Sequence, residues 1–237
     1  MPTIRSDHML IEILTEDKSG SVVVKRLVER ICEDGEIEAR INVRPHRGCG
    51  SLPKDPSAKP PKFSSSLLDL LPAKCRAYNK VYRDTDTVLV VIMDSDDNDP
   101  DELRKMIYDC VHYYAPSIRS VIGLCTEEVE AWMLGDKDAV MKAFPEASEK
   151  YLNEYVQDSI CGTWEALCKV ICPEDYEEII EIGYPAVGNY KARWAEEISR
   201  YMEPELNISP SFINFKMALN FAIRDPKPIS GHRIRSF

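Results

Sequence analysis

Six carboxylates crowd nine positions, Asp94 to Glu102 (Asp-Ser-Asp-Asp-Asn-Asp-Pro-Asp-Glu), directly after a run of apolar residues. Like charges packed this closely repel one another, and a cation would relieve the cost. Hard cations such as Mg²⁺ take oxygen ligands and usually keep several waters, so the Asp-x-Asp pair Asp94 and Asp96 is sufficient to hold one. An EF-hand loop needs Gly at its sixth position and Glu at its twelfth. Counted from Asp94 those positions are Asp99 and Lys105, so that motif is excluded. Asp99, Asp101 and Glu102 fit the first turn of a helix, where the dipole favours acids. Asp94 and Asp96 are left for metal.

Two further acidic groups stand at comparable places. Glu12 lies inside the apolar run Met9–Leu14, followed by Glu16 and Asp17, and a carboxylate in such a run is costly unless paired or beside a metal. Glu127, Glu128 and Glu130 follow the apolar stretch Ile118–Cys125. Ligands of open α/β sheets bind at the carboxyl ends of strands. If the strands are neighbours, Glu12 can approach Asp94 and Asp96, and the Glu127, Glu128 and Glu130 group either joins the same strand-end site or forms an ordinary acidic first helical turn.

The elements that would carry these groups are legible in the periodicity. Residues 9–14 and 118–125 read as strands, and Thr87–Met93 is continuously apolar and β-branched, as in a central parallel strand. Residues 37–43 alternate apolar and polar, which predicts a half-buried strand. Val23, Leu27 and Ile31 recur at helical spacing, helices are expected over 67–83 and 127–134, and Pro100 opens another to Tyr114. Strand and helix thus alternate from 9 to 135, predicting an α/β layer with a largely parallel sheet. Beyond 136 the signals are helical, over 137–144, 146–157, 163–171, 190–202 and 211–223. The organisation expected is a core over 1–136 and a helical extension over 137–237.

Residues 44–66 interrupt that alternation with Gly48, Gly50, Pro53, Pro56, Pro60 and Pro61, a loop long enough to suggest function. The chain carries a net charge of −10, yet residues 44–83 hold nine Lys/Arg against two acids, a balance of +7 that leaves −17 elsewhere. An acidic body with one basic stripe can hold a polyanion locally. Arg44, Arg47 and Lys54 are the candidate phosphate contacts.

With 44 % hydrophobic and 30 % charged residues over 237 positions, the composition is that of a globular protein. No run approaches the ~20 apolar residues of a membrane span. Met1 to His8 is polar, without an apolar signal segment, so a cytoplasmic protein is expected. The eight cysteines include no CxxC pair and read as reduced, mostly buried thiols.

In their order these motifs resemble the Toprim (topoisomerase–primase) superfamily. More closely, they resemble its small stand-alone members encoded beside ATPases in bacterial and phage-defence gene clusters. The family's strand-end Glu carries onto Glu12 and its Asp-x-Asp onto Asp94 and Asp96. Its "Glu-Gly-x-Thr-Glu" start appears from Glu12 to Glu16, and its "Arg-Gly-x-Gly-x-Leu" loop from Arg47 to Leu52. Its "Glu-x-Glu-Ala-Trp-x-Leu-x-Asp" helix runs from Glu128 to Asp136. The stretches Lys191–Glu196 and Asn207–Phe212 also match the group's C-terminal pattern. The resemblance implies a nuclease using Mg²⁺ or Mn²⁺ to hydrolyse DNA or RNA, with Glu12 and Glu16 as catalytic groups and Asp94, Asp96, Glu128 and Glu130 as metal ligands, and a partner ATPase. The family's Gly after the first Glu is Ile13 here, which allows a catalytically degenerate binding or sensor subunit. A metal-dependent nucleotide-using transferase is the other alternative, weakened because no Gly-rich phosphate loop follows the first strand.

Overall fold

The computed structural model describes residues 9–55 and 57–224. Met1–His8, on which the reading of a missing signal segment rests, and Pro56 of the Gly/Pro loop lie outside the described residues. Four strands, β1 (Met9–Thr15), β2 (Ala39–Pro45), β3 (Thr87–Asp94) and β4 (Arg119–Cys125), form an all-parallel sheet in the order β2-β1-β3-β4. Seven of the eight β3 residues are buried, because helices cover both faces of the central strands. The α/β class and the helical C-terminal half are as expected.

On one face lie α1 (Lys18–Asp34) and the C-terminal helices. On the other lie α2 (Leu67–Tyr82) and α3 (Pro100–Tyr114). After them come α4 (Glu130–Leu134), α5 (Lys137–Ala143), α6 (Glu149–Glu154), α7 (Thr163–Ile171), α8 (Tyr176–Ile182), α9 (Ala186–Ser199) and α10 (Pro210–Arg224). Ile11, Ile13, Val90 and Val24 share one buried cluster with Trp132, Trp194 and Phe215, so sheet and C-terminal helices are built on a common core. Trp132 anchors that union. Its ring packs between Phe212 and Phe215, at centroid distances of 5.3 and 5.2 Å, and its indole N–H donates to Ser211 Oγ at 2.9 Å.

Several boundaries differ from expectation for local reasons. The helix expected from Glu127 begins at Glu130, because Glu127 takes a left-handed φ of 59°. The acidic run after β3 divides as expected: Asp99 caps α3, accepting from the N–H groups of Asp101 and Glu102 at 3.0 and 2.9 Å. Helix α8 has no counterpart in the sequence reading. None of the described helices is long and apolar enough to cross a membrane.

Candidate functional site

The strand order reverses between β1 and β3, and in open parallel sheets the crevice at such a point is where ligands bind. Thr15 is in register with Ile92, so the residues leaving β1, Glu16 and Asp17, flank those leaving β3, Asp94 to Asp96. The β4 exit is fastened to the same place: Ser95 N–H donates to Cys125 O (2.9 Å), Asp96 N–H to Glu127 O (3.1 Å), and Glu127 N–H to Ser95 Oγ (2.9 Å).

Around this crevice the charges do not balance. Glu130 is fully buried and neither of its carboxylate oxygens accepts a hydrogen bond; Lys191 Nζ stands 3.4 Å from Oε1. Glu16 Oε2 is likewise buried without a partner. Burial, then the charge of Asp96, lifts the Glu16 carboxyl to about 7, although the backbone amide of Asp94 works against the rise. Asp94 is pushed well above the usual carboxylate range by burial and then by Glu130, Glu16 and Asp17, with Lys191 opposing. Asp96, held at a left-handed φ of 43°, is raised by burial and Asp97. Lys191 is itself nearly buried; desolvation works against its charge, but Glu130 and Glu128 outweigh that and raise it. One ammonium thus serves Asp94, Asp96, Glu128 and Glu130.

Glu127 and Glu128 are otherwise engaged. Glu127 accepts from the N–H groups of Cys161 (3.1 Å), Gly162 (3.0 Å) and Thr163 (2.9 Å) and from the Thr163 hydroxyl, which fills the N-terminus of α7. Burial opposes its charge, yet these bonds hold its carboxyl below the usual range. Glu128 accepts from Lys191 Nζ (2.9 Å) and Trp164 N–H (3.1 Å). Both staple the C-terminal helices to the strand ends and leave Glu130 as the acid of that group that accepts no hydrogen bond and has only the Lys191 charge beside it.

The loop after β2 closes the crevice from above. Gly48 N–H donates to Glu16 O (3.1 Å), and the carbonyls of Gly48 and Cys49 accept from Leu67 and Leu68 at the start of α2. Cys49 is near enough to the carboxylates that burial and the charges of Glu16, Asp96 and Asp94 push its thiol to about 11. This part of the 44–66 segment is fastened. Arg47 and Lys54 are exposed on it.

The structure does not bring Glu12 to the crevice. It is opposite Leu89, five residues before Asp94, or about 16 Å along the strand at ~3.3 Å per residue. Its carboxylate is fully partnered: Asn42 Nδ2 donates at 2.6 Å, Arg44 Nε at 3.0 Å and the Tyr82 hydroxyl at 3.4 Å. The apolar run hid this, because the strand continues past Leu14 and its terminal glutamate is Glu16. Ile13 is a buried core residue within the strand, so it does not bear on the turn. The residue after Glu16 is Asp17, whose side chain accepts from Gly20 N–H (2.6 Å) to cap α1.

Lys191 has no assigned role in the sequence reading, yet its signal is present there. It interrupts the buried stripe Val187, Trp194, Ala195 and Ile198 of α9. A lysine on an apolar stripe needs a buried counter-charge.

Among the described residues no three His, Cys, Asp or Glu side chains come together so that they could hold a metal ion. The chemistry of the site nonetheless suits a hard cation, since all its candidate donors are carboxylates and Glu16 and Glu130 carry buried oxygens without a hydrogen bond. Mg²⁺ is commonly held by one or two carboxylates, water and substrate phosphate. No family model, curated protein or solved structure matches the chain.

Proposed function

We propose that the crevice at the ends of β1, β3 and β4 is the active site of a Toprim-type, metal-dependent phosphodiesterase acting on nucleic acid. The observation that carries this reading is the set of buried carboxylate oxygens without a hydrogen bond, one on half-buried Glu16 and two on Glu130, beside Asp94 and Asp96, with Lys191 as the cation shared by Asp94, Asp96 and Glu130. The order of acids supports it too. A strand-end glutamate, an Asp-x-Asp after the neighbouring strand and a Glu-x-Glu after the next follow the family's sequence, with Glu16 in the place expected of Glu12.

Asp94 and Asp96, completed by water and substrate phosphate, would hold Mg²⁺ or Mn²⁺, which when bound polarises the scissile phosphate and stabilises its developing charge. Glu16, at the mouth of the same crevice, is placed to take a proton from the attacking water. Lys191 holds Glu128 and Glu130 in position. Arg47 and Lys54, exposed on the covering loop, neutralise flanking phosphates. A role as the effector of an ATPase-linked phage-defence system belongs to the same proposal and rests on the resemblance alone.

The test is incubation of the full chain with plasmid, single-stranded DNA and RNA in Mg²⁺, Mn²⁺ and EDTA. Metal-dependent cleavage that falls by about 10²–10⁴-fold in Glu16→Gln, the size of a lost general base, and is also lost in Asp94→Asn supports the reading. Wild type that binds metal yet never cleaves would leave the second reading, a catalytically silent binding subunit.

A further inference from the structure

The cluster that buries α2 against the sheet draws its strand residues from β1, β3 and β4 and none from β2. Edge strand β2, hydrogen-bonded only to β1, therefore leaves one side uncovered beside α2. That side presents Arg40, Asn42 and Arg44 at strand spacing. Facing them, α2 presents Lys74, Tyr78 and Tyr82 at helical spacing, all three half-buried, the two rings packed on one side against the core cluster under α2. The two rows are matched. Arg40 lies within electrostatic reach of Tyr82, and Arg44 of Tyr78 and Lys74. The tyrosine rings stack on one another, with centroids 5.7 Å apart and planes inclined by 26°. Glu12 forms the floor. It grips Arg44 through Nε and leaves that side chain 49 % exposed. A cavity of about 630 Å³ opens at the amino end, between Arg40 and Tyr82. At the other end β2 runs into His46, whose Nδ1 is 2.8 Å from Thr15 O, one residue before Glu16.

We propose that this trough is a track for one unpaired nucleic-acid strand, with Tyr78 and Tyr82 stacking on bases and Arg40, Arg44 and Lys74 contacting its backbone. The proposal rests on nucleic acid being the substrate and adds which form of it. Alternating cations and aromatic rings are what single-strand grooves use, because every base has a π-face and every linkage a charge. A duplex offers phosphates to the arginines, but its bases are already stacked and give the tyrosines nothing. Over four residues β2 supplies about 13 Å, and stacked bases rise only about 3.4 Å per step, so two or more nucleotides fit. The track ends at the crevice, so a strand lying in it delivers a phosphodiester to Glu16 and Asp94. Glu12 is then a positioning residue that aims Arg44.

The test is fluorescence anisotropy of the full chain with labelled oligothymidylate, oligouridylate and a duplex of equal length, all in EDTA so that binding is separated from cleavage. Single strands are expected to bind about tenfold or more tighter than the duplex. Tyr78→Leu and Tyr82→Leu should each weaken single-strand binding about five- to tenfold and leave the duplex unchanged, while Tyr→Phe at either position keeps the wild-type affinity. Arg40→Ala, an exposed change that leaves folding intact, should weaken all three. Equal affinity for duplex and single strand would overturn the proposal, as would folded Leu variants that bind like wild type. A chain that binds single strands through the tyrosines but never cleaves would keep the track and remove the hydrolytic reading. Duplex cleavage indifferent to Tyr78→Leu would do the reverse.

Discussion

Glu16 and Glu130 are carboxylates that the protein has withdrawn from water without giving them enough donors, and that has a thermodynamic consequence. With the Glu16 carboxyl at about 7 against an ordinary 4.5, the folded chain binds this proton more tightly than the unfolded chain does. Stability from that difference is complete below the unfolded value and is lost as pH rises through about 7. Asp94, raised by burial and by Glu130, acts in the same direction. Glu127 acts in the opposite one, because its hydrogen-bonded carboxyl lies below the usual range and loses its contribution in acid. Metal-free protein is therefore expected to melt at its highest temperature near pH 5 and several degrees lower at pH 7.5. Glu16→Gln should flatten that decline. Thermal melts across pH in EDTA check it, and a melting temperature that climbs from pH 5 to 7.5 would contradict the assignment.

At the scale of elements, what was legible was what periodicity records. The continuous apolar run of β3 announced a buried central strand, and Asp99-Pro100 announced the start of α3. The site was harder to read, because it depends on register. Glu12 and Glu16 are four residues apart in one strand and its exit, and only the pairing of Thr15 with Ile92 places Glu16, and not Glu12, beside the β3 acids. The loop 46–50 was legible as a break but not as a lid, since its hydrogen bonds run to residues 65–68 and back to Glu16. That lid depends on Gly50. Its φ is +68°, and a Cβ there would meet Ser66 Oγ at 2.6 Å. Gly48, at φ +86°, has nothing within 4 Å. Gly48→Ala should therefore cost only its backbone strain, about 1–2 kcal/mol. Gly50→Ala should cost more and also lower cleavage, because Cys49 and Gly48 would shift from Glu16. Denaturant melts of the two variants decide it; equal destabilisation would mean that the loop does not pack as described.

Over the whole molecule the charge is divided between functions. If nucleic acid is the substrate as proposed, a remainder carrying −17 favours its contact along the basic residues 44–83. Removing one cation that pairs with a phosphate should reduce the slope of log affinity against log salt by about 0.7–0.9. Arg47→Ala with Lys54→Ala should thus flatten it by about 1.4–1.8, and an unchanged slope would remove both residues from the interface. The same imbalance predicts that the molecule is tuned to a cation. The carboxylates at the strand ends repel one another across the junction of β1, β3 and the C-terminal helices, so neutralising them should tighten the shared core. A metal that binds only the folded chain stabilises it by about 2.7 kcal/mol at 100 times its dissociation constant. For a chain of this size that is a rise of roughly 5–10 °C. Mn²⁺ at pH 7.5 should produce such a rise in wild type. Asp94→Asn should melt higher than wild type in EDTA, because it neither buries a charge nor has to take up a proton on folding, and should gain little from Mn²⁺. If the variant responds to Mn²⁺ as wild type does, the ion binds elsewhere, and the crevice is an internal charge network without a metal.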